Sequence, residues 1–187
     1  MALFAFLIWG ALHTDLPQYD GKAMAGRFVG YPIVALLVPL GWLVACRRQR
    51  RRLAFPFGAA VLVTFPFVID LWGNTFRLYI ENEHFDDVVH AINPVLFVAA
   101  FALLLDRTGV PRWATWIMAF GIGCAGHILW ETLEYWLLEG FGAVELDLSL
   151  ADTLSDLGWG MVGAIIGACA HLVGPRPAVM LIPDAAR

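Results

Sequence analysis

Long hydrophobic runs dominate the chain and are separated by short polar segments. The apolar windows fall at about 1–16, 28–46, 53–72, 88–105, 113–138 and 154–174. A transmembrane helix needs about 20 apolar residues, and all but the first window approach or exceed that length. The runs are continuously apolar rather than alternating, which argues against the strands of an outer-membrane barrel. The pattern therefore predicts an all-α, polytopic transmembrane helical bundle of about six spans.

Composition supports this fold class and excludes an ordinary soluble domain. Of the 187 residues, 60% are hydrophobic and 15% are charged, which is more apolar than a soluble domain of this size can bury. No basic run with interleaved aromatic residues indicates a nucleic-acid partner. The apolar start of the chain lacks a basic flank, so we expect no cleaved signal peptide. We expect residues 1–187 to form a single integral membrane domain.

The charge distribution predicts the orientation. Segment 47–52, here called the arginine loop, carries five arginines between the second and third windows. Such clusters stay on the cytoplasmic side of the membrane. If the spans alternate, Arg107, Arg112, Arg176 and Arg187 join that side, which then holds nine basic and two acidic residues. We therefore expect a multi-pass protein of the bacterial inner membrane with both termini cytoplasmic, or with the N-terminus outside if the first window does not span.

Polar side chains recur at helical spacing near the outer ends of four consecutive windows. Polar groups at membrane depth are costly, so they usually face the bundle interior and serve a function. Residues four apart share a helical face. The sets are Asp70 with Asn74, Asp86 with His90, His127 with Glu131 and Glu134, and Asp152 with Asp156. We interpret them as one cluster at the outer leaflet. For any single residue, the alternative is a helix-end charge that reaches interfacial water or caps a helix.

Clustered carboxylates need a cation, bound protons or nearby bases, because like charges repel and burial penalises charge. Oxygen ligands with one or two imidazoles suit Zn, Mn, Fe or Mg, and facing helices of bundles hold such ions. We therefore expect a divalent metal ion at this cluster, and otherwise no cofactor. The expected ligands are Asp70, Asp86, His90, His127, Glu131, Asp152 and Asp156. Glu131 and Glu134 are the candidate general bases.

Other polar residues near the cluster have less specific patterns. The outer connection after the third window contains Arg77 and Tyr79 and would form either an interfacial helix over the site or a plain amphipathic surface segment. We expect Asn74, Arg77 and Tyr135 to contact a substrate. His171, at the opposite end of the last window, is interpreted as a core or solvated histidine.

Three segments carry a resemblance to a known family. They are 85–90 (FDDVVH), 129–136 (LWETLEYW) and 152–157 (DTLSDL), the last followed by a helix rich in small residues. These segments resemble the aromatic-Asp-x-x-x-His, W-E-x-x-E-aromatic and D-T-x-x-D motifs of the YjdF-like family of bacterial inner-membrane proteins, and more distantly VanZ-like proteins. Their order and spacing agree over residues 70–170. One departure follows His90, where Ala91 stands in place of the usual phenylalanine.

The resemblance implies a common site without naming its chemistry. The residues that it places in that site are Asp86, His90, Glu131, Glu134, Asp152 and Asp156. VanZ-like proteins are associated with the cell envelope, which implies lipid-linked or cell-wall substrates by analogy.

Three functions remain open at this stage. The first is a membrane protein that binds or acts on an envelope lipid or a lipid-linked head group at the outer leaflet. If it is an enzyme, the metal would activate water or polarise a phosphoryl or carbonyl oxygen. The second is a proton- or cation-coupled transporter. The third is a structural or assembly protein whose polar residues fix helix packing. Membrane lipids are the expected partners, and the oligomeric state stays open.

Overall fold

The computed structural model describes residues 2–20, 22–141 and 150–174. The described part contains helices and no strand. The helices are α1 (Ala2–Leu12), α2 (Met24–Gln49), α3 (Phe57–Thr75), α4 (Leu78–Glu81), α5 (Phe85–Asp106), α6 (Arg112–Phe141) and α7 (Leu150–Val173). Arg176, Arg187 and the side chain of Glu134 lie outside the described part.

Five of these helices are long and apolar enough to cross a membrane, namely α2, α3, α5, α6 and α7. They correspond to the last five apolar windows, which confirms the all-helical membrane fold. The sixth span, expected at 1–16, is not confirmed. Helix α1 has 11 residues and is about 16 Å long at 1.5 Å per residue, roughly half of the ~30 Å hydrocarbon core.

The two ends of the bundle differ in chemistry. At one end, here called the arginine end, the arginine loop connects α2 to α3, and Arg107 of α5 donates a hydrogen bond to the carbonyl of Ala54. At the other end, here called the polar end, α2, α5 and α7 begin and α3 ends. Most of the acidic residues of the described chain lie at the polar end, as the alternation of spans predicts.

Helix α5 lies at the centre and packs against α3, α6 and α7. Its contact with α7 is close because α7 presents glycines to it. A Cβ at Gly163 would overlap the carbonyl oxygen of Ala91, and a Cβ at Gly167 would lie 2.9 Å from the carbonyl oxygen of Val95. Small residues allow membrane helices to approach and gain packing contacts. The small-residue pattern of the last window therefore serves α5–α7 packing.

Helix α1 packs on the polar half of α2 and α3. The three helices and the 13–20 connection share a buried apolar cluster of Leu7, Tyr19, Met24, Tyr31, Phe67 and Leu71. Large apolar side chains elsewhere on the helices are exposed in the isolated chain, including about half of the surface of Leu36, Ile117 and Ile166. Such a surface is suited to lipid rather than to water.

A buried pair joins α5 and α7 at the arginine end. His171 Nε2 lies 3.2 Å from Asp106 Oδ1, and their side chains are only 9% and 2% exposed. Arg112 of α6 donates hydrogen bonds to the carbonyls of His171 and Gly174. Of the two alternatives for His171, a core or a solvated residue, the low exposure of its side chain favours the core one, and its partner is a carboxylate.

Candidate functional site

Two polar groups form at the polar end, where the sequence pattern predicted one. The first, here called the histidine group, joins α5, α6 and α7 through His90, His127, Glu131 and Asp156, with Asp86 at its edge. The second, here called the Asp70 group, joins α2, α3 and α4. Helical spacing correctly indicates which residues share a helical face. In the packed bundle, however, these faces meet in two separate groups rather than in one.

His90 is the centre of the histidine group and contacts carboxylates with both ring nitrogens. Its Nδ1 lies 3.2 Å from Glu131 Oε1. Its Nε2 lies 3.5 Å from Asp86 Oδ1 and 3.9 Å from Asp156 Oδ1. One imidazole thus connects carboxylates from three helices.

His127 of α6 sets the position of α7 beside His90. Its Nε2 lies 2.8 Å from the carbonyl oxygen of Asp156. A carbonyl can only accept, so Nε2 carries the proton and donates this bond. The same nitrogen is 3.8 Å from Glu131 Oε1, and the His90 and His127 rings meet edge to face with centroids 5.2 Å apart.

The histidine group is buried and incompletely hydrogen-bonded. The side chains of His90, His127, Glu131 and Asp156 are 6–11% exposed. Glu131 Oε1 and Asp156 Oδ1 lie within ion-pair distance of His90, but no donor in the described part of the chain meets them at hydrogen-bonding geometry. In addition, Pro94 has no N–H, so the carbonyl of His90 lacks its usual donor within α5. Buried acceptors without donors are costly and are consistent with a ligand or ion at this position.

The Asp70 group is built around a carboxylate with an arginine partner. Arg27 Nε lies 3.0 Å from Asp70 Oδ2, and the two side chains are 13% and 11% exposed. Tyr31 also donates to Asp70 Oδ2. Tyr79 and Asn74 donate to Asp70 Oδ1 at 3.2 and 3.3 Å. Arg27 thus neutralises the charge of Asp70, and both carboxylate oxygens of Asp70 accept hydrogen bonds. This arrangement differs from that of a carboxylate that is free to bind a metal ion.

Tyr79, which lies in α4, is the member of the Asp70 group that this short helix contributes. Burial raises the pKa of its phenol well above the ordinary value, and the negative charge of Asp70 raises this pKa further. The phenol therefore stays protonated and keeps donating to Asp70. Its ring packs edge to face against Phe85, with centroids 4.9 Å apart. Part of the connection after α3 thus forms the four-residue helix α4, and its tyrosine faces Asp70.

A cavity of about 550 Å³ lies between the two groups. Its wall near the polar end is formed by charged and polar side chains: Lys22, Arg27, Tyr31, Asp70, Asn74, Tyr79, Asp86, His90 and His127. Its wall deeper in the bundle is apolar, with Leu37, Phe97, Phe101 and Leu104 among its residues. The cavity is therefore polar at one end and apolar along the rest.

The packing leaves this cavity open to one side. Helices α2 and α6 both line it, but no Cα of α2 lies within 8 Å of a Cα of α6 in the described chain. Helices α3 and α5 form the wall between them, and α7 contributes no lining residue. In the described chain, α2 and α6 thus leave a gap between them along this cavity.

Several predicted site residues lie elsewhere. Arg77 is half exposed, pairs with Glu81 at 3.3 Å and does not line the cavity. Tyr135 is 47% exposed and also does not line it. Asp152 lies one turn before Asp156 and is partly exposed. Asn74 lines the cavity, but its amide donates to Asp70.

Other functional candidates emerge only from the structure. Arg27 lies just before the second apolar window, and its spacing of four from Tyr31 places both residues on one helical face. Lys22 had no distinguishing pattern, yet its side chain is buried in the cavity wall.

Comparison with known proteins gives the family. No curated protein and no solved structure matches the chain. One family model, described as "Predicted membrane protein (DUF2238)", matches residues 1–174. That match covers all five candidate spans and both polar groups. The chain therefore belongs to the DUF2238 family of predicted membrane proteins.

Proposed function

We propose that this protein binds an amphipathic lipid of the surrounding membrane in the cavity between α2 and α6, with the lipid head group beside the histidine group. The observation that supports this proposal is the cavity itself, which combines a polar end, an apolar remainder and a gap between α2 and α6 in the described chain. Its volume of about 550 Å³ is within the ~300–1,000 Å³ of typical small-molecule sites.

The polar end would determine which lipid binds. Lipid tails are as apolar as leucine side chains, so an acyl chain gains little by leaving the bilayer for the deep wall of the cavity. A head group gains much more at the polar end, because Asp86, His90, His127 and Lys22 line the cavity there and offer it polar contacts. Selectivity therefore arises at the polar end of the cavity, and the apolar wall determines the shape of the ligand that fits.

The predicted orientation places the polar end at the outer leaflet of a bacterial inner membrane. The arginine loop then lies in the cytoplasm, as such clusters do. An envelope lipid or a lipid-linked head group is the corresponding ligand class. The resemblance of three segments to motifs of YjdF-like and, more distantly, VanZ-like proteins favours the same location, by analogy.

We also propose that Asp86, His90 and Asp156 hold one divalent ion. Their ligand atoms lie within 4.8 Å of one another, and the His90 Nε2 to carboxylate distances are 3.5 and 3.9 Å. Two ligands at ~2.0–2.1 Å in a tetrahedral site are separated by roughly 3.3 Å, so small side-chain movements would complete the site. A bound ion would polarise a phosphoryl or carbonyl oxygen of the head group.

Glu131 has a different role in this arrangement from the one expected of a direct ligand. Its carboxylate faces His90 Nδ1 at 3.2 Å, on the opposite side of the ring from Asp86 and Asp156. Metal-binding histidines commonly donate their other N–H to a carboxylate, which fixes the ring orientation. Glu131 would thus position His90, and it remains the best-placed general base if the protein is an enzyme.

The transport alternative receives less support from the described helices. A second histidine–carboxylate pair does lie on α5 and α7 at the arginine end. However, the 15 residues of α5 between His90 and Asp106 contain no carboxylate or histidine, and neither does α7 between Asp156 and His171. At 1.5 Å per residue these segments span over 20 Å. The paired ends are better explained as contacts that hold the two helices together.

Lipid binding can be tested by filling the cavity. Gly126 of α6 lines it, and a Cβ there meets nothing within 4 Å. Gly126→Leu should lower the amount of lipid that copurifies with the protein in mild detergent, measured by mass spectrometry per mole of protein. Gly121→Leu is the matched control, because Gly121 has the same free space on α6 but does not line the cavity. Equal lipid in both variants and the wild type would refute the proposal.

The metal can be tested by elemental analysis of purified protein after incubation with Zn, Mn or Fe and removal of excess. Asp156→Asn and His90→Ala should lose a near-stoichiometric ion. Asp87→Asn is the control, since Asp87 accepts a hydrogen bond from Ser155 at 3.0 Å and belongs to neither ligand group. Absence of metal in the wild type would refute this part and leave a protonated carboxylate network.

A further inference from the structure

We infer that Lys22 binds the phosphate of the lipid head group, so that the cavity selects phosphorylated lipids. This inference rests on the proposed lipid-binding function and names the ligand class of the same site. It derives from a buried cation for which the described chain provides no counter-charge.

Lys22 lies just before α2 and lines the polar end of the cavity. Only 8% of its surface is exposed. Its backbone N–H donates to Tyr19, but its ammonium makes no hydrogen bond or ion pair with a residue of the described chain. Lysines are almost never buried to this extent without a partner. The stem of Lys22 is buried, but its ammonium is not fully enclosed by protein atoms and can reach the cavity, where an anionic ligand would supply the counter-charge.

The other cation of the cavity is already neutralised. Arg27 forms its ion pair with Asp70 at 3.0 Å, and the phenols of Tyr31 and Tyr79 also donate to Asp70. The Asp70 group therefore holds its own charges in balance and leaves Lys22 as the cation available to a ligand.

The wall of the cavity opposite Lys22 is formed by the histidine group, whose carboxylates carry negative charge. The histidine group contains Asp86, Glu131 and Asp156 around two histidines, which suits a cation rather than an anion. A phosphate would therefore lie on the α2 side, at Lys22, with the histidine group facing the adjoining part of the head group. Lysine is a common point-charge partner of phosphate, and phosphate is the charged group that membrane lipids carry at the depth where spans begin.

Binding of defined lipids tests the inference. The detergent-solubilised, delipidated protein is titrated with dioleoylphosphatidylglycerol, with dioleoylglycerol and with inorganic phosphate, and bound species are counted by native mass spectrometry. The wild type should bind the phospholipid at least about tenfold more tightly than dioleoylglycerol, as expected for a charged hydrogen bond. Lys22→Gln should remove that preference, and Lys22→Arg should restore most of it.

Two controls separate a specific contact from general charge or folding effects. Arg77→Gln removes a positive charge at the same end of the bundle but outside the cavity, and should keep the preference. Lys22→Gln should be at least as thermally stable as the wild type without lipid, because it removes an unpaired buried charge. A loss of stability would indicate a structural role and would overturn the inference.

The outcomes distinguish this inference from the proposed function. If Gly126→Leu blocks both lipids but Lys22→Gln changes neither, the cavity binds lipid and the phosphate contact is wrong. If inorganic phosphate binds as tightly as the phospholipid, the site recognises free phosphate and the lipid head group is refuted as the source. If Gly126→Leu affects no lipid, the proposed function itself fails.

Discussion

The ion pair between Arg27 and Asp70 offers the sharpest test of the packing between α2 and α3. Their closest atoms are 3.0 Å apart, and both side chains are nearly nine-tenths buried. At an effective dielectric constant of ~20, two unit charges at this distance attract by about 5 kcal/mol. Desolvation offsets part of this attraction. We therefore expect a coupling free energy of about 2–3 kcal/mol, toward the upper end of measured values for residues in contact.

A double-mutant cycle measures this coupling. Arg27→Met should lower the free energy of unfolding by about 3 kcal/mol, because it leaves a buried carboxylate without its cation. The cost should stay at the lower end of the usual range, since Tyr79 and Asn74 still donate to Asp70. Asp70→Asn should cost a similar amount, and the double variant should cost about 2–3 kcal/mol less than the sum. Reversible unfolding in mixed micelles, with sodium dodecyl sulfate as the denaturant, provides the assay.

The exposed pair Arg77–Glu81 serves as the control for the cycle. Its atoms are 3.3 Å apart, but the side chains are 48% and 63% exposed, so water screens the attraction and the coupling should be at most about 1 kcal/mol. If the Arg27 and Asp70 substitutions are additive within about 0.5 kcal/mol, the two residues do not interact in the membrane. That result would contradict the contact between α2 and α3, and with it the wall of the cavity that this contact forms.

Three further predictions concern the bundle as a whole. Gly163→Leu should lower the free energy of unfolding by about 1–3 kcal/mol relative to Gly158→Leu, because a side chain at Gly163 meets the backbone of α5 and one at Gly158 meets nothing within 4 Å; equal stability would contradict the α5–α7 contact. His171→Ala should cost about 1–3 kcal/mol by removing a partner of buried Asp106, and an unchanged unfolding curve would exclude this pair. In a variant without native cysteines, a cysteine in the arginine loop should resist an impermeant thiol reagent in intact cells while one in α4 reacts; the reverse labelling would invert the orientation.

Much of the fold is predictable from hydrophobic periodicity. Five of the six windows match candidate spanning helices, because a membrane helix needs about 20 apolar residues and each of these windows approaches or exceeds that length. The first window is not matched by a candidate spanning helix, because the helix that it forms ends at Leu12. Helix α2 begins at Met24, four residues before the predicted window, because a polar residue such as Arg27 can enter a span when a buried carboxylate receives it.

The site was predictable only in part. Residues four apart on one helix were correctly grouped, and His90, His127, Glu131 and Asp156 do meet. Asp70 was expected among them and instead faces Arg27. Sequence spacing fixes the face of a helix but not the helix that the face meets, and that choice depends on contacts such as the glycines of α7 against α5. Lys22 could not be identified at all, because its importance lies in burial and in the lack of a counter-charge.

Mapping where lipid contacts the protein tests the central claim most directly. A phosphatidylglycerol with a photoactivatable diazirine on its acyl chain is incorporated with the protein into nanodiscs, crosslinked, and located by peptide mass spectrometry. We predict strong labelling of Phe97 and Phe101 in the deep wall of the cavity, exceeding that of Ile117, which is 54% exposed on α6 and does not line the cavity. Labelling of Phe97 and Phe101 that is no higher than that of Ile117 would contradict a lipid-binding cavity.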